Sequence, residues 1–439
     1  MYRRLTLVSV FLAPYAAGAA DAAGASAPTS TGLAANYETL FKSPWNEDNN
    51  KHGLQHIEHV NVCIPSHDPA KHLYYDILGF APDARRAHNI GKGSGTIWAN
   101  IGTTQIHLPE GEPQVVPGTI GLVYGGSDLA EVIARLTENA VTNGNDNNRK
   151  NALEGTKFAW REEKEEGGEE TGYVDVTCPY GNVYRLHKRK PPSSTVEPEA
   201  TQAALTTDRG GGGGALDPRG GRLPNVPAGG NTSSSLGLGI SYVSFRVRPG
   251  TAAGIARFYR EIFGAEAEEM GGGGSGDGNG SGGGRSSSSG EDVCSVTQEG
   301  DSGKGSRCST ATTEANTRRG TTAVVRVGPV QHLVFVEEED EALLQQEYDG
   351  HHICVYLPEE GFRRSFEEAE RRGLVFVNPR RNFGKADTLE KALEEKQYRI
   401  KDLVDPATGE LLHVLEHEIR SISHPSYPVA RDLSAHTPM

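Results

Sequence analysis

The feature that most constrains this chain is a repeat, because the order strand, helix, three strands can be read along it four times. The first copy opens on an alternating run over 57–64, after which Asp68 and Pro69 supply a helix cap and a proline at the first helical position. A helix over 69–78 places Leu73, Tyr74, Ile77 and Leu78 on one stripe, and Gly79 stops it. Strands are expected over 81–87, 96–101 and 105–108, with Gly102-Thr-Thr as the turn between the last two. The second copy has a strand over 119–124 and a helix capped by Asp128 with Leu129, Val132, Ile133 and Leu136 on one stripe. Its closing strands are expected over 157–160, 173–177 and 182–187. The third runs from a strand over 240–247 through a helix over 252–263, stopped by Gly264, to strands over 322–327 and 332–336. The fourth has a strand over 352–357, a helix over 362–372 with Phe362, Phe366 and Ala369 inward, and strands over 375–377, 398–403 and 411–415. The letters repeat as well as the period: Tyr74-Tyr-Asp-Ile-Leu-Gly-Phe80 and Phe258-Tyr-Arg-Glu-Ile-Phe-Gly-Ala265 end the first and third helices. The fold class expected is α+β, with four βαβββ modules in two tandem halves.

A chain of 439 residues exceeds what one core usually holds, about 250–300 residues, so two folded halves are expected, at 54–188 and 238–418. The 55 glycines are clustered: five in a row from Gly210 mark a linker over 189–237, and others fill a Gly, Ser and Thr-rich insert over 270–319. Both segments are too poor in apolar residues to offset their ordering entropy and are expected to be disordered. At the start, Arg3 and Arg4 precede an apolar stretch over 5–20 and small residues around Ala17 to Ala27, which reads as a signal or targeting segment over 1–27. A leader over 28–53 and a C-terminal tail over 419–439 flank the halves. The expected destination is the secretory pathway or a plastid, with no membrane span in the mature chain. A net charge of -14 argues against a nucleic-acid partner. The short basic runs at 185–190 and around Arg371-Arg372 and Arg380-Arg381 read as solvated element ends. None of the five cysteines shows a CxxC spacing; Cys294 and Cys308 could pair in an oxidising compartment, while Cys63, Cys178 and Cys354 read as small core residues.

Several of these strings match a known family pattern. His59-Val-Asn-Val-Cys-Ile-Pro followed by Leu73-Tyr-Tyr-Asp-Ile-Leu-Gly-Phe80, with Cys178-Pro-Tyr-Gly-Asn182 and Asp405-Pro-Ala-Thr-Gly409 near the ends of the halves, resembles the vicinal oxygen chelate superfamily of glyoxalases, bleomycin resistance proteins and extradiol dioxygenases. The resemblance covers roughly 54–188 and 238–418. It implies paired modules whose curved sheets enclose a cavity, with a divalent ion held by side chains from the first and last strands of each module. Carried onto this chain, it points to His59 and His107 in the first module, to His352 in the fourth, and to either His413 or Glu416 on the fourth module's last strand. The matching positions in the middle modules, Thr119 and Arg185, then Tyr242 and Leu333 or Phe335, are not usual ligands. A complete site therefore requires modules one and four to pair, whereas sequential pairing leaves each half with part of one. An all-histidine set suits zinc or copper and a glutamate suits iron(II) or manganese. The function implied is that of a metal-dependent lyase, isomerase or dioxygenase acting on a small substrate with vicinal oxygens. The alternatives are a metal-free small-molecule-binding protein and a scaffold whose cavities are filled by side chains. His351 reads as a solvent-facing neighbour of His352, and His56 faces away from His59. Glu58, Tyr75 and Tyr398 are acid or base groups by type, but their neighbours explain them as strand or helix surface.

Overall fold

The structure is a computed structural model that describes residues 52–83, 85–142, 152–164, 171–189, 235–270, 321–344, 346–379 and 385–427. The targeting segment, almost all of the leader, most of the linker, all of the insert but Met270, the Cys294 and Cys308 pair, Arg380-Arg381 and the last twelve residues of the tail lie outside the described residues.

The first module consists of β1 (His56–Asn61), α1 (His67–Lys71), which continues as one π-helical stretch (His72–Ile77), β2 (Ala81–Pro82), α2 (Ala87–Lys92), β3 (Ile97–Ile101) and β4 (Thr104–Leu108). The expected helix is present with Leu73, Tyr74 and Ile77 buried, and Gly79 follows it at φ 68, a left-handed conformation that a side chain would disfavour. The expected strand over 81–87 shrinks to two residues. Pro82 has no N–H to continue the ladder, and Asp83 Oδ1 accepts from the Arg85 backbone N–H at 2.8 Å, turning the chain into α2.

The second module is β5 (Thr119–Tyr124), α3 (Gly126–Thr142), β6 (Ala159–Lys164), β7 (Thr171–Thr177) and β8 (Val183–Lys188). Asp128 lies inside the first turn of α3 rather than at its cap. The third is β9 (Gly237–Val247), α4 (Ala252–Phe263), β10 (Ala267–Met270), β11 (Thr322–Val327) and β12 (Gln331–Glu337). A short helix α5 (Glu341–Leu344) precedes the fourth module: β13 (His352–Leu357), α6 (Glu359–Arg371), α7 (Leu389–Glu395), β14 (Gln397–Val404) and β15 (Leu411–Ser421). The strand expected over 375–377 is a single bridge, Val375 to Ile400.

The modules do not pair in sequence order. One sheet of seven strands runs β14-β15-β13-β1-β4-β3-β2, and one of eight runs β10-β11-β12-β9-β5-β8-β7-β6. Modules one and four share the first sheet, and modules two and three share the second. Each sheet has the same plan. The opening strands of its two modules pair antiparallel at the centre, β1 with β13 and β5 with β9. Each is flanked by its own module's last strand running parallel. The four central strands of a sheet are thus the four from which side chains can converge.

Helices cross between the sheets. Tyr74 of the first module bonds Tyr184 on β8 through the two hydroxyls at 2.9 Å, and Tyr259 on α4 donates its hydroxyl to His417 Nε2 on β15 at 2.7 Å. The halves of the chain are therefore joined through strands and the sheets through helices, around one continuous apolar cluster that includes Ile57, Val60, Tyr74, Ile120, Phe245, Phe335 and Ile353. A fully buried side chain of this size contributes about 1.5–3 kcal/mol. Gln331 of β12 ties the sheets together by a second route: its amide oxygen accepts from the Ile57 N–H at 2.9 Å, and its amide nitrogen donates to the Ile57 and Ile240 carbonyls.

Candidate metal centre

Strand alternation sends Val60, Ile106, Ile353, Val355, Leu415 and Ile419 into the apolar cluster. The opposite face of the same central strands carries His59, Asn61, Gln105, His107, His352, Cys354, Glu416, Glu418 and Arg420. The register aligns them, with His59 opposite Cys354, Asn61 opposite His352 and also beside His107, His352 beside Glu416, and Cys354 beside Glu418.

The rings of His59, His107 and His352 meet there. His59 and His107 stack with centroids 3.8 Å apart, and His352 meets His59 edge-on at 5.5 Å. Ligand atoms of His59, His352 and Glu418 all lie within 4.8 Å of one another, and His352 Nε2 is 3.5 Å from Glu418 Oε2. His107 stands outside this group of three; its Nε2 bonds Gln105 Oε1 at 2.8 Å, and the Gln105 amide bonds Asp83 at 2.8 Å. Trp98 stacks on the far side of His107 at 4.2 Å, with the guanidinium carbons of Arg85 and Arg86 4.4 and 4.6 Å from the indole. Arginine, indole and two imidazoles form one column from the surface down to the cluster.

The two expected alternatives for the fourth donor are elsewhere. His413 lies on the opposite face of β15, packed against Phe245 and Phe335 of the other sheet at 6.0 and 6.2 Å. Glu416 shares the face of His352, but its carboxylate is held by Arg399, by Asn378 Nδ2 at 3.1 and 3.2 Å, and by the Tyr348 hydroxyl at 3.4 Å. Glu418, two residues on, takes the place beside His352. The strand expected to end at 415 continues to Ser421, and Glu416, Glu418 and Arg420 were visible as an alternating polar set between Leu415 and Ile419.

Glu58 also belongs to the site rather than to a strand surface. A β-bulge between Ile57 and His59 leaves Glu58 without a cross-strand partner and turns it toward the charged face, where it is 3% exposed. Its Oε2 accepts from Arg420 at 2.5 Å and from His59 Nδ1 at 3.2 Å. Burial alone would raise the Glu58 carboxyl, but Arg420 and the His59 hydrogen bond outweigh it and bring the group down to about 2. Burial opposes ionisation of Glu418 as well, and Arg399 and Arg420 reverse that effect, holding it well below the usual carboxylate range. His59 and His107 are pushed down by burial and stay neutral, the form in which an imidazole can bind a cation. With Nδ1 facing Glu58, the His59 lone pair is on Nε2, which is buried and has no hydrogen-bond partner. Cys354 is fully buried, as expected of a small core residue, but lies within ligand distance of Glu58 and His59 on the charged face, and burial raises its thiol.

Other expectations change similarly. His351 is 1% exposed, not solvent-facing. Tyr398 is a core residue donating to Ser365 Oγ at 2.7 Å, and Tyr75 donates to the Trp98 carbonyl at 3.2 Å. Arg185 is not a solvated strand end: it is 4% exposed and bonds Asp175 at 2.7 Å. In the eight-stranded sheet the equivalent face is closed by this pair and by Tyr242, whose ring lies where a Cβ on Gly121 would be, 2.1 Å from its nearest atom.

Two histidines away from this cluster, His332 buried and His413 half-buried, make the fold acid-sensitive. Burial, with Arg326 nearby, brings His332 down to about 3, and burial, with His351 nearby, brings His413 to about 3, from an ordinary 6.5. The unfolded chain takes up these protons below 6.5 and the folded chain does not. Their stabilisation is therefore complete above 6.5 and is lost as the pH falls toward 3. A urea titration at pH 4.5 should show a loss on the order of 2–3 kcal/mol per histidine relative to pH 7.5. His332→Gln should reduce that loss; an unchanged pH dependence would refute the assignment.

Solved structures similar to the chain include glyoxalase I from Zea mays, 11% identical, with 89% of this chain and 100% of that chain covered at a TM-score of 0.43. Another is 2,2',3-trihydroxybiphenyl 1,2-dioxygenase from Sphingomonas wittichii strain RW1, 11% identical, with 84% and 90% covered at a TM-score of 0.22. No protein-family profile matches the chain. No curated protein matches it in sequence. Four βαβββ modules paired in two mixed sheets, with polar donors on the central strands of one, define the class: an α+β fold consistent with tandem modules of the kind that the sequence resemblance implies. The particular arrangement, among the described residues, is a donor cluster shared by the first and fourth modules. No helix among the described residues is long and apolar enough to cross a membrane.

Proposed function

We propose that the chain is a divalent-metal-dependent enzyme of the glyoxalase or dioxygenase kind, acting on a small molecule with two adjacent oxygens at the cluster of His59, His352 and Glu418. The observation that carries this reading is the convergence of those three donors within 4.8 Å, with the buried His59 Nε2 lacking any other partner. Two imidazoles and one carboxylate are a donor set that suits iron(II), manganese or zinc. Such an ion supplies Lewis acidity to vicinal oxygens. The protein's share is positional: Glu58 fixes the His59 tautomer, and Arg399 and Arg420 hold Glu418 ionised. The Trp98 and His107 column covers the cluster from the solvent side, so substrate entry requires the segment carrying Arg85 and Arg86 to move. Helix α2 in that segment buries none of its residues.

One observation favours a metal-free reading of the same cluster: Glu418 is already paired with two guanidinium groups. Metal analysis of the purified chain decides between them. Stoichiometric zinc, iron or manganese is expected, with affinity reduced roughly tenfold to a hundredfold or more in His59→Ala, His352→Ala and Glu418→Gln. His413→Ala should retain the ion. Absence of metal after reconstitution with each of the three ions, or its retention in the first three variants, would overturn the proposal.

A further inference from the structure

A second site lies on the other side of the molecule's charged sheet, where the end of β9, the segment leading into β13 and the β14–β15 hairpin enclose a cavity of about 550 Å³. Its walls mix apolar side chains, including Val247, Leu343, Leu344 and Leu412, with polar ones that include Glu347 and Glu410, and its mouth carries Leu411, which is 45% exposed and one of three large apolar side chains exposed among the described residues. Three nitrogen-bearing side chains line the same space. His351 is 1% exposed; Asp349 Oδ1 engages its Nδ1 at 2.7 Å, and its Nε2 has no partner. His413 likewise has a buried Nε2 without a partner. Arg246 is half-buried, its Nε is buried without a partner, and it makes no ion pair among the described residues. Glu338 acts on it electrostatically without pairing, while at the rim Arg248 and Glu410 face each other at 3.9 Å.

A guanidinium nitrogen buried without a partner is costly, and so are two buried imidazole edges with nothing to bond. A cavity of a few hundred Å³ that sets apolar side chains beside a few convergent polar groups is the usual form of a small-molecule site. We propose that this cavity binds a small monocarboxylate with an apolar body. The carboxylate meets Arg246 and the His351 and His413 edges, and the body lies along Leu411, Leu412 and Val247. A guanidinium fork matches a carboxylate in geometry as well as charge. The proposal does not depend on the metal cluster, since none of these groups is among the donors His59, His352 and Glu418.

Octanoate titrated calorimetrically into the full chain tests it. Saturable binding is expected, weakened about tenfold or more by Arg246→Ala and partly restored by Arg246→Lys. Leu411→Asp, at an exposed position that leaves the core intact, should weaken it similarly by placing a carboxylate at the mouth, which keeps the test decisive if Arg246→Ala fails to fold. 1-Octanol has the body without the charge and inorganic phosphate the charge without the body; each should bind about tenfold more weakly or worse. Octanoate binding should persist in His59→Ala, and the metal content should be unchanged in Leu411→Asp. No saturable octanoate binding, equal binding of 1-octanol or phosphate, indifference to both Arg246→Ala and Leu411→Asp, or loss in His59→Ala would each overturn the assignment.

Discussion

Replacing Arg399 with methionine is expected to destabilise the fold by about 3–5 kcal/mol, read as a lowered urea midpoint at neutral pH. Arg399 is 1% exposed and bridges Glu416 and Glu418, neighbours on one face of β15. Without it, Glu418 keeps Arg420, while Glu416 keeps only the neutral groups of Asn378 and Tyr348. The loss comes from leaving a carboxylate buried without a counter-charge. Arg399→Met combined with Glu416→Gln should therefore recover most of the stability, because the glutamine can still bond Asn378 and Tyr348. If the single variant is as stable as the parent, the buried ionic network does not hold this face together. If the double variant recovers nothing, the penalty arises from packing around the arginine stem.

Cutting the chain between its halves should not separate them. A protease site placed among the glycines at 210–214 yields two fragments, but each sheet contains strands from both, through β1 with β13 and β5 with β9, and the apolar cluster is common to all four modules. The fragments are expected to co-elute in size-exclusion chromatography at micromolar concentration and to part only in denaturant, consistent with a dissociation constant of about 1 nM or lower. Two independently folded halves would instead separate at once, and that outcome would refute the pairing of the first module with the fourth.

Much of this architecture was legible in the letters. Apolar stripes ending in glycine located the helices before Gly79 and Gly264, because a left-handed residue ends a helix whatever surrounds it. Histidines at matching places in the first and fourth modules pointed to a shared cluster, and the sheet order brings His59, His107 and His352 together. What escaped were properties of register and burial. Glu58 reads as strand surface from its neighbours, and one bulged residue turns it toward the charged face. Glu418 lies beyond Leu415, where the apolar pattern alone ends the last strand, although Glu416, His417, Glu418, Ile419 and Arg420 continue its alternation. His351 gave no local sign of burial, since the chain that encloses it comes from β9 and the β14–β15 hairpin. Helix α7 carries its signal in the letters: Thr388 accepts from the Lys391 N–H, and Leu389, Ala392 and Leu393 follow at helical spacing.

The nesting of the strand pairs has a consequence for how such a chain is made. Asn61 pairs with His352, roughly 290 residues further on, whereas the pairing of Ile120 with Val243 closes inside it, like brackets within brackets. During synthesis at about 5–20 residues per second, the inner sheet has all its strands well before the outer one, and the central edge of β1 waits for its partner for roughly 15–60 s. The donors of the cluster follow the same schedule. A polypeptide halted anywhere before the fourth module carries His59 without His352 or Glu418, so coordination chemistry of this kind belongs only to translation products that reach the final strand.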